Sequence, residues 1–460
     1  MTATKEINKK EINKDITRLA IPVVLENMLQ ILANVITAAM IGRLLADDIA
    51  AQGISQRITQ IYWALFRGIG MGVTVVGAVS YGMGKLGRCR RIAEQTYLTF
   101  MPVALFFTVI TFLFPEQLLR FFTDDPVLLG RAVEYTRLAV LAVPFTVLTT
   151  VNAAAFNAQG NTKTPMYIAI FLNLVNVAVG YTFIFGHFGA PALGIMGAAI
   201  AYVASQSLGG LAGLFLLYRP GGFYAGCTHG EKFFSIDGEC VREVVTTGIP
   251  AAMENLFWQF SAVLLSKAIL SYGSDCYAAY QLGVQAEMLC EMPAVGLLTT
   301  ATQLGGKAIG MRNQPLFEIY YKQLLKLCII LSLISFCALF FFPGAFMGVL
   351  TDNPVLHAIG VKYVFIMAFA QPPQILAKLY TGMTRAAGFK RVPMTVSFIG
   401  IWCVRVPLAL LSAWVLKLDI TAIWWIISLD QLVRISISIG YFYRKDILHT
   451  IDRLKAAEAA

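Results

Sequence analysis

Long apolar runs, separated by short polar connectors, dominate the chain. Twelve reach the length of a membrane span: residues 17–41, 54–80, 93–115, 131–154, 165–186, 194–218, 246–271, 277–302, 321–343, 357–382, 394–416 and 420–443. A helix needs about 20 apolar residues to cross the hydrocarbon core, so each run predicts one transmembrane helix. Gly and Pro inside the runs do not weigh against this, since membrane helices tolerate both. The connectors alternate in charge. "KLGRCRR" (85–91), Lys163, "KAIGMR" (307–312), "RAAGFKR" (385–391) and "RK" (444–445) fall on one side if the spans alternate. "LLADD" (44–48), "TDDP" (123–126), "YGSD" (272–275) and "TDNP" (351–354) fall on the other. The positive-inside bias then places both termini in the cytoplasm, which requires an even number of spans. The polar N-terminus "MTATKEINKKEINKD" leads into a run without a small-residue cleavage site, so it reads as a retained cytoplasmic tail rather than a signal peptide.

The pattern is written twice. "IPVVLEN" (21–27) returns as "IPAAMEN" (249–255), and "TDDPVL" (123–128) returns as "TDNPVL" (351–356). Tyr135 meets Tyr363, Pro144 meets Pro372, Gly160 meets Gly388, and "TPM" (164–166) lies over "VPM" (392–394). One displacement of 228 residues holds throughout, which marks an internal duplication. Each copy holds six spans, so the copies share one orientation in the membrane. The expected layout is a tail (1–16), a six-helix lobe (17–218), a cytoplasmic linker (219–245), a second six-helix lobe (246–443) and a tail (444–460). Two equivalent lobes suit a carrier, because they can rock about a central cavity and open it to alternate sides.

Polar residues inside the spans carry the candidate chemistry. Glu26, Gln30, Asn34 and Thr37 recur at steps of four, four and three, on one face of the first helix. Such a stripe cannot face lipid cheaply, so it lines a wet cavity or a hydrogen-bonded helix seam. Gln52, Gln56, Thr59, Gln60, Trp63 and Arg67 form a similar face on the second. The eighth span, "AAYQLGVQAEMLCEMPAVG", holds Gln281 and places Glu287 and Glu291 one turn apart. Neighbouring carboxylates in low dielectric resist joint ionisation, which suits ion exchange. Glu254 on the seventh span is a further member of this acidic group, and Lys267 or Lys378 is available to neutralise one carboxylate. The competing reading is an internal ion-pair network that only holds helices together. Glu26, Glu254, Glu287 and Glu291 are the candidate cation-coupling groups. Gln30, Asn34, Thr37, Gln56, Trp63, Asn173, Asn176, Trp258, Gln281, Gln371 and Lys378 are the candidate cavity residues. Asp430 and Arg434, four apart, read as a structural pair, and Trp424 and Trp425 as interface anchors.

Composition narrows the class. Of 460 residues, 57% are hydrophobic and 13% charged, about half the charge of a soluble domain. The net charge of +10 sits in the connectors rather than on one solvated face, so nucleic acid is not the partner. Eight cysteines are scattered without a CxxC pair. Cys227, His229 and Cys240 give only three candidate zinc ligands, at poor spacing. No Walker A loop, HExxH or GxSxG is present, and the glycines of "GIGMGVTVVG" (68–77) lie inside a span. The chain reads as neither an enzyme nor a cofactor binder, and its energy comes from an ion or substrate gradient. One charge moving down the membrane potential yields roughly 2.3 kcal/mol per 100 mV.

"IPVVLENMLQILANVITAAMIGRL", "GNTKTPMYIAIFLNLVNV" and "AAYQLGVQAEMLCEMPAVGLLTTATQLGGKAIG" together resemble the multidrug and toxic compound extrusion family, over residues 14–445. The resemblance implies an all-α polytopic membrane protein, a V-shaped carrier of twelve helices in two parallel-oriented bundles. It further implies a carrier in the bacterial inner membrane, surrounded by lipid, that exports small organic compounds, cationic or amphipathic, in exchange for H+ or Na+; because both lobes lie in one chain, a monomer is expected to hold the whole pathway. Glu287 matches a commonly acidic position of the eighth helix. Glu254 lies one turn before the acidic position of some relatives, which falls nearer Trp258. Thr37 stands where many bacterial relatives have Asp, three residues after the Asn matching Asn34, and this moves the expected coupling towards Glu26 or the C-terminal lobe. The alternative within the wider superfamily is an exporter or flippase of a specific metabolite or lipid-linked compound.

Overall fold

The structure, a computed structural model, describes residues 9–41, 46–120, 125–225 and 236–459. All regular structure among them is helical. Twelve long rods follow one another: α1 (Lys9–Ile41), α2 (Ala46–Gly82), α3 (Leu86–Leu113), α4 (Pro126–Ala158), α5 (Lys163–Phe185), α6 (Ile195–Tyr218), α7 (Gly238–Leu270), α8 (Ser274–Gly310), α9 (Gln314–Phe341), α10 (Pro354–Ala386), α11 (Val392–Val415) and α12 (Ile420–Arg444). Short helices at Pro115–Leu119 and Pro343–Leu350 follow α3 and α9, and Thr450–Ala459 ends the chain. The protein is an all-α, polytopic, membrane-spanning helical bundle.

Among the described residues, nine rods are both long and apolar enough to cross a bilayer. The other three, α1, α7 and α8, have 33, 33 and 37 residues, so length does not set them apart. Polarity sets α7 and α8 apart, because they carry Glu254, Glu287 and Glu291, while the apolar stretch 24–41 of α1 holds a single carboxylate, Glu26. Their carboxylates are the price of placing chemistry inside the hydrocarbon.

The duplicated residues do the same local work in both copies. Asp125 caps α4, accepting from the backbone N–H of Val127 at 2.9 Å and Leu128 at 3.4 Å. Asn353 caps α10 in the same way, from Val355 at 2.9 Å and Leu356 at 3.4 Å. Pro126 and Pro354 follow at the first helical position, where the missing N–H costs nothing. Tyr135 and Tyr363 are both buried. The repeated "D/N-P-V-L" is therefore a helix-start device, in which the cap satisfies free backbone donors of the first turn and the proline removes another.

The chain forms two compact units. One comprises Leu25–Ala252, and the other Met1–Val24 together with Met253–Ala460. The division falls inside α1 and inside α7, each time two residues past a proline, Pro22 or Pro250. The two crossing points are again 228 residues apart. Within the second unit, Ile16, Leu19 and Ala20 of α1 pack with Ala294, Leu297 and Ala301 of α8. Within the first, Cys240 and Val244 of α7 pack with Ile69 and Val73 of α2, and Arg88 forms a two-pronged ion pair with Glu243 at 2.8 and 2.9 Å. Each copy's opening helix thus begins in one unit and continues in the other.

Candidate functional site

Among the candidate residues of the Leu25–Ala252 unit, two polar groupings stand out. Glu26 is half-buried on α1, and its Oε2 is buried without a hydrogen-bond partner among the described residues. Its charged neighbour is Arg67 of α2, whose guanidinium lies 4.5 Å over the ring of Trp63. Further along α1, Thr37 Oγ1 donates to Asn176 Oδ1 of α5 at 2.9 Å. Asn176 Nδ2 in turn points to Ser205 Oγ of α6 at 3.5 Å. This second cluster is neutral and ties three helices together. Asn173, one turn before Asn176, has a buried Nδ2 without a partner. Gln30 and Gln56 are exposed. The side chain of Asn34 lies outside the described residues, as do Cys227 and His229, while Cys240 is buried.

The unit containing Met253–Ala460 gathers eight charges, four of each sign. Glu254 of α7 pairs with Arg385 at the end of α10. Glu291 of α8 pairs with Lys378 of α10 at 3.0 Å, and Asp430 of α12 with Arg405 of α11 at 2.8 Å. Glu287 accepts from the hydroxyl of Tyr363 at 2.8 Å, and Gln374 reaches both Glu287 and Glu291. Arg434 donates to Ser397 Oγ at 3.0 Å. The guanidiniums of Arg405 and Arg434 lie 4.5 and 4.8 Å from the ring centre of Trp258. That ring, expected as a cavity wall, is stacked by the protein's own cations. Gln281 donates to Tyr277 on its own helix at 2.6 Å, while Gln371 is fully buried and neither of its side-chain polar atoms has a partner among the described residues.

Local sequence makes this crowding feasible. A Cβ on Gly283 would lie 2.2 Å from Tyr363 Cδ1, so only glycine lets that ring lie against α8 and reach Glu287 one turn on. A Cβ on Gly400 would lie 2.3 Å from both Arg434 Cγ and Asp430 Oδ1. Gly400 belongs to a π-helical stretch, Ile399–Arg405, one of two in α11. Such wide turns recur at functional sites, and this one ends on Arg405. Burial raises the stakes, because a charge held away from water is tolerable only while paired.

Several expectations change. Asp430 takes Arg405 as its ion-pair partner rather than Arg434, because Arg405 reaches it from α11 at 2.8 Å while the Arg434 guanidinium is directed to Ser397. Lys378, not Lys267, neutralises a carboxylate, and Lys267 is exposed. Arg385, read as a connector charge, is buried because α10 extends past its apolar run. Trp424 is no interface anchor: it is fully buried against Tyr363, 5.5 Å between ring centres, while Trp425 remains half-exposed. Arg405 was not singled out by sequence; Tyr363 stood out only as a repeated tyrosine, and Gln374 only as part of a polar stripe with Gln371 and Lys378. Arg405 carried the clearest signal, an arginine at the middle of the apolar run 394–416. Among the described residues, no group of three His, Cys, Asp or Glu side chains could hold a metal ion.

A sequence model of the MatE family matches residues 22–182 and again 250–411, so the two matches begin at Pro22 and Pro250. The chain belongs to the MatE family. This MatE protein is a membrane transporter, not an enzyme. It is 25% identical over 456 residues to the "Probable multidrug resistance protein NorM" of Thermotoga maritima, covering 97% of this chain and 96% of that one. Two solved structures share its fold, each at 18% identity and a TM-score of 0.88, covering 98% of this chain. One, covered over 100% of its length, is described as an outward-facing multidrug resistance MATE family transporter of the MOP superfamily. The other, covered over 99%, is a MOP superfamily transporter from Pyrococcus furiosus whose binding pocket is described as having reverse polarity.

Proposed function

We propose that this MatE protein is a secondary active efflux transporter. It exports organic, cationic or amphipathic compounds in exchange for inward H+ or Na+, by rocker-type alternating access. Its twelve spans form a V of two parallel six-helix lobes, 17–218 and 246–443, joined by the cytoplasmic linker 219–245. Both termini are cytoplasmic, the membrane is the bacterial inner membrane, and one chain holds the whole pathway.

The observation that carries this reading is the position of Glu287. Three carboxylates of its cluster, Glu254, Glu291 and Asp430, each have a cation within ion-pair distance. Glu287 has a tyrosine hydroxyl instead. Neutralising any of the three would strand an arginine or lysine in low dielectric. Neutralising Glu287 strands no direct partner, so it can take and release a cation while its neighbours hold the scaffold. At the 228-residue displacement, Glu287, Glu291, Lys378 and Arg385 fall on Thr59, Trp63, Thr150 and Asn157, none of them charged. Glu254 alone of the carboxylates falls on another carboxylate, Glu26, and the asymmetry of the rest favours coupling in the C-terminal lobe. Thr37, Asn176, Gln30, Gln56 and Trp63 then offer the N-terminal lobe's substrate a mainly neutral surface, with Glu26 and Arg67 as its local charges.

The test is flux in sealed liposomes with a panel of dyes, with H+ and Na+ gradients imposed separately, for the wild type and Glu287→Gln. Gradient-driven flux in the wild type, lost in the variant while dye binding persists, is the expected result. Flux indifferent to both gradients, or unaltered by the substitution, overturns the assignment. A second reading, a carrier of a specific metabolite or lipid-linked compound, is favoured by Arg405 and Arg434 on Trp258, which suit an anionic group. An anionic dye in the same panel separates the two.

A further inference from the structure

The transport reading makes no use of a groove on the Leu25–Ala252 unit. It has a volume of about 420 Å³ and is lined by Tyr97 of α3 and by Leu211, Leu214, Phe215 and Tyr218 of α6. The walls are almost wholly apolar. Leu211 is 52% and Phe215 66% exposed, so the groove opens outward, towards the bilayer, rather than into the bundle. Charge appears at one end only. Tyr218 is the last residue of α6, and the exposed Arg219 follows it. The Arg90 guanidinium lies 5.5 Å from the Tyr218 ring, steadied by Glu94 at 2.7 Å and by the Tyr224 carbonyl at 3.3 Å. From Leu211 to Tyr218 the helix rises about 10 Å, less than half of the ~30 Å hydrocarbon core, so the groove lies within one leaflet.

An apolar slot of one-leaflet depth, with the Arg90 guanidinium beside its Tyr218 end and the exposed Arg219 next in the chain, fits an amphiphile with a hydrocarbon tail and an anionic head. We infer that this groove binds an acidic phospholipid, with one acyl chain between α3 and α6 and the phosphodiester at Arg219, beside Arg90. Guanidinium groups suit phosphate oxygens, which accept two parallel N–H bonds. The site also has a structural neighbour to act on. The chain turns back after Arg219, and Tyr224, buried, donates its hydroxyl to the Cys89 carbonyl at 3.2 Å. A bound headgroup would hold the start of the linker against α3.

The full-length protein, purified in a mild detergent, is equilibrated with equimolar phosphatidylglycerol and phosphatidylcholine of identical acyl chains, and retained lipid is counted by native mass spectrometry. The expected result is at least fivefold preference for phosphatidylglycerol in the wild type, reduced to near parity by Arg219→Gln. Leu211→Trp, which fills the slot from its exposed rim, reduces retention of both lipids. Equal retention of both by the wild type means an annular lipid only and overturns the site. So does a preference that survives Arg219→Gln, or displacement of the lipid by soluble glycerol phosphate, which would make the slot irrelevant.

Discussion

Gly283→Ala tests whether Tyr363 positions Glu287. The added Cβ would stand 2.2 Å from Tyr363 Cδ1 and 2.9 Å from Cε1. Carbon atoms rest about 3.5–4.0 Å apart, so the ring must retreat by more than about 1.3 Å. It has nowhere to go. Tyr363 is 1% exposed and meets Tyr280 and Trp424 edge-on, with ring centres 5.4 and 5.5 Å away. A retreat of that size takes its hydroxyl, now 2.8 Å from Glu287, to roughly 4 Å, beyond hydrogen-bond range. Overpacking costs about 1–3 kcal/mol. The lost bond to a carboxylate costs about 1.5–3 kcal/mol more. Thermal unfolding in detergent and gradient-driven flux in liposomes are the two assays. Gly283→Ala should lower both, with flux falling at least tenfold. Tyr363→Phe keeps the ring and removes only the bond, so it should lose similar flux and about 1.5–3 kcal/mol of stability, without the further overpacking cost of Gly283→Ala. In a Tyr363→Leu background the clash is gone, and Gly283→Ala should then cost almost nothing further. An equal stability loss from Gly283→Ala in both backgrounds would refute the steric account. Normal flux in Gly283→Ala beside impaired flux in Tyr363→Phe would refute the positioning role.

Arg385→Ala strands Glu254, whose side chain is only 16% exposed, and should destabilise the protein by about 3–5 kcal/mol; the double change Glu254→Gln with Arg385→Gln should recover most of this in thermal unfolding. Thr37→Val removes a neutral hydrogen bond worth about 0.5–1.5 kcal/mol, so apparent substrate affinity should shift less than about tenfold while ion dependence stays unchanged. Beyond the last span, Asp446 hydrogen-bonds His449 Nδ1 at 2.6 Å and holds its pKa above the ordinary 6.5, with Glu318 adding to the effect. A raised folded-state pKa stabilises the docked tail fully below 6.5 and loses that contribution as pH climbs through the raised value. Amide exchange in residues 450–459 should therefore be slower at pH 6 than at pH 9 after correction for intrinsic rates, and His449→Gln should abolish the difference.

Periodicity read the rods well, because a bilayer admits little besides helices, and a run of apolar letters sets the length. Charge pairing was harder to read. Glu254, Glu287 and Glu291 stood out as carboxylates in apolar runs, yet their partners depend on which helices face one another. Lys378 was among the options, whereas Arg385 looked like a connector because α10 outlasts its hydrophobic stretch. Asp430 and Arg434 lie one turn apart, and spacing along one helix suggested a pair that Arg405, on a neighbouring helix, displaces. Tyr363 was visible as a repeated tyrosine, but its role rests on a glycine eighty residues earlier that makes room for it. Helix boundaries and repeats are local or periodic facts of the sequence. Partner choice is a fact of packing, and one sequence alone does not encode it in any short window.

The matched crossing points, inside α1 after Pro22 and inside α7 after Pro250, bear on how such a gene could arise. An ancestor of half this length would not have closed upon itself, since each protomer would have had to lend its leading arm to a twin. A modern gene cut between the halves should give fragments that mature when made together in one cell and are degraded when made apart.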